Sequence, residues 1–214
     1  MDKQIKVNNT LIHLLPERAI FLPTYKTLVI SDWHLNKLED NTQYESTGDE
    51  SIKEEIQSLE QLVEEYEVRR LVLLGGMFHP DWEKDWTLFY DFAEYHKELE
   101  VISIRKGKPL LDEVAQAPEN FMSCEDFLLE GKIHFAPDDV EHTEKSKLYI
   151  MGGHLPGCIV SGNGGQVYRM ACFKVDGNKI FMPSFGAWTQ LNIIEKEKSS
   201  AFYPILGDHI VSIK

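Results

Sequence analysis

The chain has 214 residues, 43% hydrophobic and 27% charged, with 35 acidic against 22 basic side chains and a net charge of −13. That length is enough to bury a sizeable core in one domain, taken as 1–214, and no run approaches the roughly 18 apolar residues of a membrane span. The charge argues against direct binding to a nucleic-acid backbone, which relies on lysines and arginines that displace condensed counterions.

The opening "MDKQIKVNNT" has no apolar core or cleavage pattern of an export signal. "LIHLLPERAIFLP" reads as two short strands around a turn, and "TLVISD" (27–32) as a compact strand ending at Asp32. Over 49–68, Ile52, Ile56, Leu59, Leu62 and Val63 recur at helical spacing, with Asp49 placed to cap the start. A second buried strand spans 69–76, a second amphipathic helix 81–100 and a third strand 101–107. This βαβαβ order predicts parallel strands with helical crossovers. The second half changes to strands joined by short Gly, Asp or Asn turns, with the acidic run 136–145 expected as a solvated loop. The class is therefore α/β, turning to α+β in the second half. Cys124, Cys158 and Cys172 are widely spaced and include no CxxC, which fits reduced thiols in a cytoplasmic protein.

In open α/β sheets, ligands bind at the carboxyl ends of the strands. Asp32 and His34 follow the first core strand, and Gly75, Gly76 and His79 follow the second. Lys106 and Lys108 follow the third, and His154 follows "LYIMGG". An aspartate and two or three histidines converging there suggest a site for Mn, Fe or Zn. Taken alone, a single D-x-H more often caps a turn or packs in a loop. "LGDH" (206–209) is expected to be a hairpin turn, and "SGNGGQ" (161–166) opens a strand rather than a phosphate-binding helix. Trp82 and Trp86 are expected to pack, while Trp33 is placed to line a cleft.

The order of these strand-end motifs resembles the calcineurin-like metallophosphoesterases, whose series runs D-x-H, GD-x-x-H, GNH-D, a lone histidine and GH-x-H. "LLPERAIFLPTYKTLVISDWHLNK" and "CFKVDGNKIFMPSFGAWTQL" are similar to the opening and closing signatures of the bacterial ligase-associated DNA-damage-response endonuclease group. The resemblance, from about residue 10 to the end, implies a sandwich of two mixed β-sheets flanked by helices, with two metals at one edge.

Against that pattern, the ligand set is depleted. D-x-H stands as Asp32 and His34, but the bridging aspartate is Gly76. The asparagine and histidine of GNH are Lys108 and Pro109, and the lone histidine falls at Phe135 or Ala136 with His134 out of phase. His154 is kept while Pro156 replaces the second histidine of GH-x-H. Two dications about 4 Å apart repel by about 16 kcal/mol at an effective dielectric near 20, which a bridging carboxylate normally offsets. A dinuclear centre is therefore not expected, and Lys108, with Lys106, is placed to substitute for a missing cation near Asp32. Two readings stay open. One is a non-catalytic descendant that holds no cofactor and binds a protein partner or a small phosphorylated ligand, with homo-oligomerisation allowed. The alternative is a phosphodiester hydrolase using one divalent metal (Mn, Fe or Zn) at Asp32, His34 and His154, with His79 still facing the cleft.

Overall fold

The computed structural model describes residues 2–33, 48–77, 83–107, 116–162, 164–186, 191–195 and 199–213, with the side chains of 48–51 and 83–85 outside that description. The first sheet begins with an antiparallel meander of β1 (Lys3–Val7), β2 (Thr10–Leu14), β3 (Ile20–Leu22) and β4 (Thr27–Ser31). It continues as a parallel run, in which β4 pairs with β5 (Arg70–Leu74), β5 with β6 (Glu100–Ile104) and β6 with β7 (Phe121–Cys124). The crossovers are α1 (Gly48–Glu65) and α2 (Glu83–Tyr95). The expected βαβαβ unit is thus present, and each strand sits within three residues of its predicted span.

Side-chain alternation along these strands makes two cores. Leu28, Ile30, Leu71, Leu73 and Val101 point towards Leu59, Leu62 and Phe89 of the two helices. Val29, Val72, Leu74, Ile102 and Ile104 point the other way, onto the second sheet. Fully burying each such side chain is worth about 1.5–3 kcal/mol. These strands are apolar on both faces because both faces are covered.

The second sheet comprises β8 (Phe127–Leu129), β9 (Ile133–Ala136), β10 (Leu148–Met151), β11 (Pro156–Ser161), β12 (Val167–Asp176), β13 (Lys179–Phe181), β14 (Asn192–Ile193), β15 (Ser200–Leu206) and β16 (His209–Ile210). Its spine runs β14-β11-β12-β13-β10-β9-β8, with β15 and β16 added alongside β12. Phe135, Ile150, Phe173 and Ile180 fill the space between the sheets. The sandwich of two mixed sheets is therefore as expected, although both described α-helices contribute their buried faces to the first sheet's core alone.

Two local expectations change. β9, β10 and β13 are mutually parallel rather than joined as hairpins. The acidic stretch between β9 and β10 is the mostly exposed loop expected, and it serves as a crossover fastened by side chains: Asn178 donates to the carbonyls of Glu144 and Lys147, and Lys179 to Asp139 and the Val140 carbonyl. Asp49 lies in the first turn of α1, which begins at Gly48, so it is not the cap. "LGDH" does form the predicted hairpin, with Leu206 opposite His209 and Gly207 at a φ of 57°. No helix among the described residues is long and apolar enough to cross a membrane.

Candidate functional site at the strand ends

Asp32 follows β4 in the left-handed region, with a φ of 47°. Aspartate tolerates this conformation better than most residues, and here it turns the carboxylate back towards the neighbouring strand ends. The residue is only 5% exposed. Its Oδ2 accepts a hydrogen bond from the Ser31 hydroxyl at 2.6 Å and another from the backbone N–H of Gly153 at 2.7 Å. Gly153 follows β10 in the opposite sheet, so the carboxylate joins the two layers.

Two glycines make room for it. A Cβ on Gly75 would overlap Asp32 Oδ1, and Gly75 also has a φ of 77°. A Cβ on Gly152 would lie 2.5 Å from Ser31 Oγ and 3.2 Å from Asp32 Oδ2. The glycine-rich turn after β5 is thus the recess that seats an aspartate, not a phosphate cradle.

The segment after β13 closes over the same point. Ser184 donates from its hydroxyl to the Asp32 carbonyl at 2.9 Å, and the Phe185 N–H donates to the Ser31 carbonyl at 2.8 Å. Arg18, from the "PERA" turn, donates to the Gly186 carbonyl at 2.6 Å. Burial pushes the Arg18 guanidinium below its ordinary pKa, while the nearby Glu55 carboxylate acts in the opposite direction. Glu55 in turn accepts a hydrogen bond from the Trp33 indole at 2.8 Å.

Trp33 is 1% exposed and meets Phe89 and Phe185 edge-on. It is a core side chain, which corrects the expectation that it lines a cleft. Trp86 packs as predicted. His154 follows Gly153 at the same edge. Its ring lies edge-on to Phe181, with centroids 4.6 Å apart, and its enclosed Nε2 has no hydrogen-bond partner among the described residues.

Gly76 is half-buried after β5 and supplies no carboxylate. Pro156 opens β11 opposite Asn192, which gives it a place in the sheet. Phe135 and Ala136 are buried, while His134 turns outwards to Asp126, 3.2 Å away. Lys106 does not pair with Asp32. Its side chain is 83% exposed and its ammonium lies 3.9 Å from Asp138 at the rim of the edge. His34, His79, Lys108, Pro109 and Trp82 lie outside the described residues. The motif reading passed over Ser31, Gly153 and Ser184, although Ser31 adjoins Asp32 and Gly153 sits in the glycine pair before His154.

At this edge Gly76 carries no side chain, and Asp32 directs one oxygen to two protein donors and the other against Gly75. Among the described residues, no group of three or more His, Cys, Asp or Glu is arranged to hold a metal.

No protein-family model matches the chain, and no curated protein matches it either. Among solved structures, the crystal structure of Pseudomonas putida nuclease MPE resembles it with a TM-score of 0.80, covering 100% of both chains at 19% sequence identity. With its two mixed sheets, the chain therefore has a metallophosphoesterase-like fold, similar along its whole length to that of a nuclease.

Proposed function

We propose that this protein keeps the metallophosphoesterase-like scaffold without two-metal hydrolysis and acts by binding a protein partner or a small phosphorylated ligand. The supporting observation is the state of Asp32. A metal ligand needs lone pairs directed at the ion, whereas this carboxylate is turned inwards and hydrogen-bonded to Ser31 and to Gly153 of the facing sheet. Gly76 offers no bridging oxygen beside it. Fold likeness to a nuclease is compatible with this reading, because function resides in the site and not in the scaffold.

One observation favours a second reading, a phosphodiesterase with one divalent metal at Asp32, His34 and His154. The Nε2 atom of His154 is enclosed without a hydrogen-bond partner among the described residues, and a buried polar atom of that kind normally has one. In that case the metal would activate water and polarise a phosphoryl oxygen.

The test loads the chain with manganese, iron or zinc, desalts it, and measures metal content together with hydrolysis of a nitrophenyl phosphodiester. Wild type is compared with His154→Ala and Asp32→Asn. The expected result is no stoichiometric metal in any of the three and no hydrolysis that depends on either residue. A metal content near one per chain that His154→Ala abolishes, together with hydrolysis, would overturn the binding role and establish the single-metal enzyme.

A further inference from the structure

Cys158 and Cys172 are distant in sequence but neighbours in the second sheet. Cys158 on β11 stands opposite Met170 on β12, and Cys172 lies two residues beyond Met170. All three side chains therefore leave the same face of the antiparallel pair. Phe202 of β15 completes the buried cluster, with Val160, Met170 and Ile194 packed around it. The two thiols are close enough in this cluster for each to shift the other's ionisation.

The pair is asymmetric. Cys172 is fully enclosed, whereas Cys158 is 6% exposed and lines a groove of about 210 Å³ with Ile159, Ile193, Ile194 and Phe202. Interaction with the Cys172 thiol lowers the Cys158 thiol below its ordinary pKa, against the opposing effect of burial. The same interaction and burial raise Cys172. The accessible sulfur is thus also the readier thiolate, which is the nucleophilic form.

We propose that Cys158 and Cys172 are a redox-active dithiol that closes to a disulfide when a peroxide enters the groove. The Cys158 thiolate attacks a peroxide oxygen, the O–O bond breaks, and Cys158 becomes a sulfenic acid as the peroxide leaves as water or an alcohol. The Cys172 sulfur then displaces hydroxide from that sulfenic acid, releasing water and forming the S–S bond. Overall, two thiols are oxidised and one peroxide is reduced. Diagonal cross-strand neighbours stand about 7–8 Å apart at Cα, while disulfides usually span about 4.4–6.8 Å, so closing the bond needs the backbone to shift slightly along the strands around Cys158 and Cys172. The ladder to β12 over Gly157–Ser161 holds the register, so the shift is a local one, and on its other side β11 is paired by β14 only at Pro156 and Gly157. Cys124 has no place in this chemistry, since it lies on β7 at the far edge of the other sheet.

The test exposes the native chain to a small excess of hydrogen peroxide, blocks remaining thiols with an alkylating reagent, and maps the tryptic peptides by mass spectrometry. Arg169 lies between the two cysteines, so trypsin separates them and any bond between them appears as a linked peptide pair. The expected result is that pair, with alkylatable thiols falling from the three of the reduced chain to one and returning after dithiothreitol. Cys124→Ser should still form the link. Cys172→Ser should instead accumulate oxygen adducts on Cys158. A disulfide involving Cys124, or three unreacted thiols while a small control thiol is consumed, would overturn the proposal. The wild-type map decides the matter even if Cys172→Ser does not fold.

Discussion

At the scale of single residues, Asp32 separates a structural role from a catalytic one. A carboxylate kept for chemistry is commonly a cost to the folded state, and replacing it tends to stabilise. Asp32 instead accepts two short hydrogen bonds inside the fold, one of them from the opposite sheet. Removing it leaves the Gly153 N–H without its acceptor. Asp32→Ala is therefore expected to cost about 2–4 kcal/mol, read as a lower urea midpoint, because charge-assisted hydrogen bonds exceed neutral ones and an orphaned buried donor adds its own penalty. Asp32→Asn, which keeps an acceptor oxygen and tolerates the left-handed backbone, should lose less. A variant Asp32→Ala as stable as wild type would remove the main support for a binding role. The identity of Asp32 and the absence of a carboxylate at Gly76 were readable from motif order. The direction in which Asp32 points was not, since it depends on a backbone φ and on glycines from two other strands.

At the scale of elements, the strand-end edge is held by a relay that crosses four segments. The "PERA" turn supplies Arg18, α1 supplies Glu55, the residue pair after β4 supplies Trp33, and the segment after β13 supplies Gly186. Glu55→Ala deprives the Trp33 indole N–H of its acceptor and removes the negative charge beside Arg18. The expected loss is about 1–3 kcal/mol. Trp33 fluorescence should also shift to longer wavelength as water reaches the ring, whereas an unchanged spectrum would show that the aromatic contacts alone hold it. The elements of this relay differ in how openly the sequence announces them. α1 and the parallel strands β4, β5 and β6 were legible because long apolar runs alternate with 3.6-residue periodicity. β1, β7 and β11 were not. β1 is half solvated, β7 is four residues at a sheet edge, and β11 is opened by a proline and a glycine, the usual marks of a turn. The parallel pairing of β9 with β10 was hidden for another reason: a crossover without a helix has the composition of a long hairpin loop.

At the scale of the whole molecule, the two sheets and their two cores bring scattered polar groups to the margins of the apolar layers, and titration there bears on global stability. Burial raises the Tyr203 phenol above its ordinary pKa of 10.0. Tyr66 is raised from the same 10.0 by burial first, and then by Glu65, Asp2 and Glu17. In both cases the folded protein keeps the proton longer than the unfolded chain. Below about pH 10 the phenols are neutral in both states, so their contribution is intact. As pH climbs past that value, the unfolded chain gives up its phenolic protons first and binds fewer than the folded one. The slope of unfolding free energy against pH is then negative, and stability falls until the folded phenols ionise as well. The urea midpoint should therefore hold up to about pH 9 and decline as pH rises through about 10 and above. A chain carrying both Tyr66→Phe and Tyr203→Phe should show a shallower decline, because neither ring can then ionise in either state. An equally steep decline in that double variant would assign the alkaline loss to general charge repulsion, which a net charge of −13 supplies and added salt would relieve.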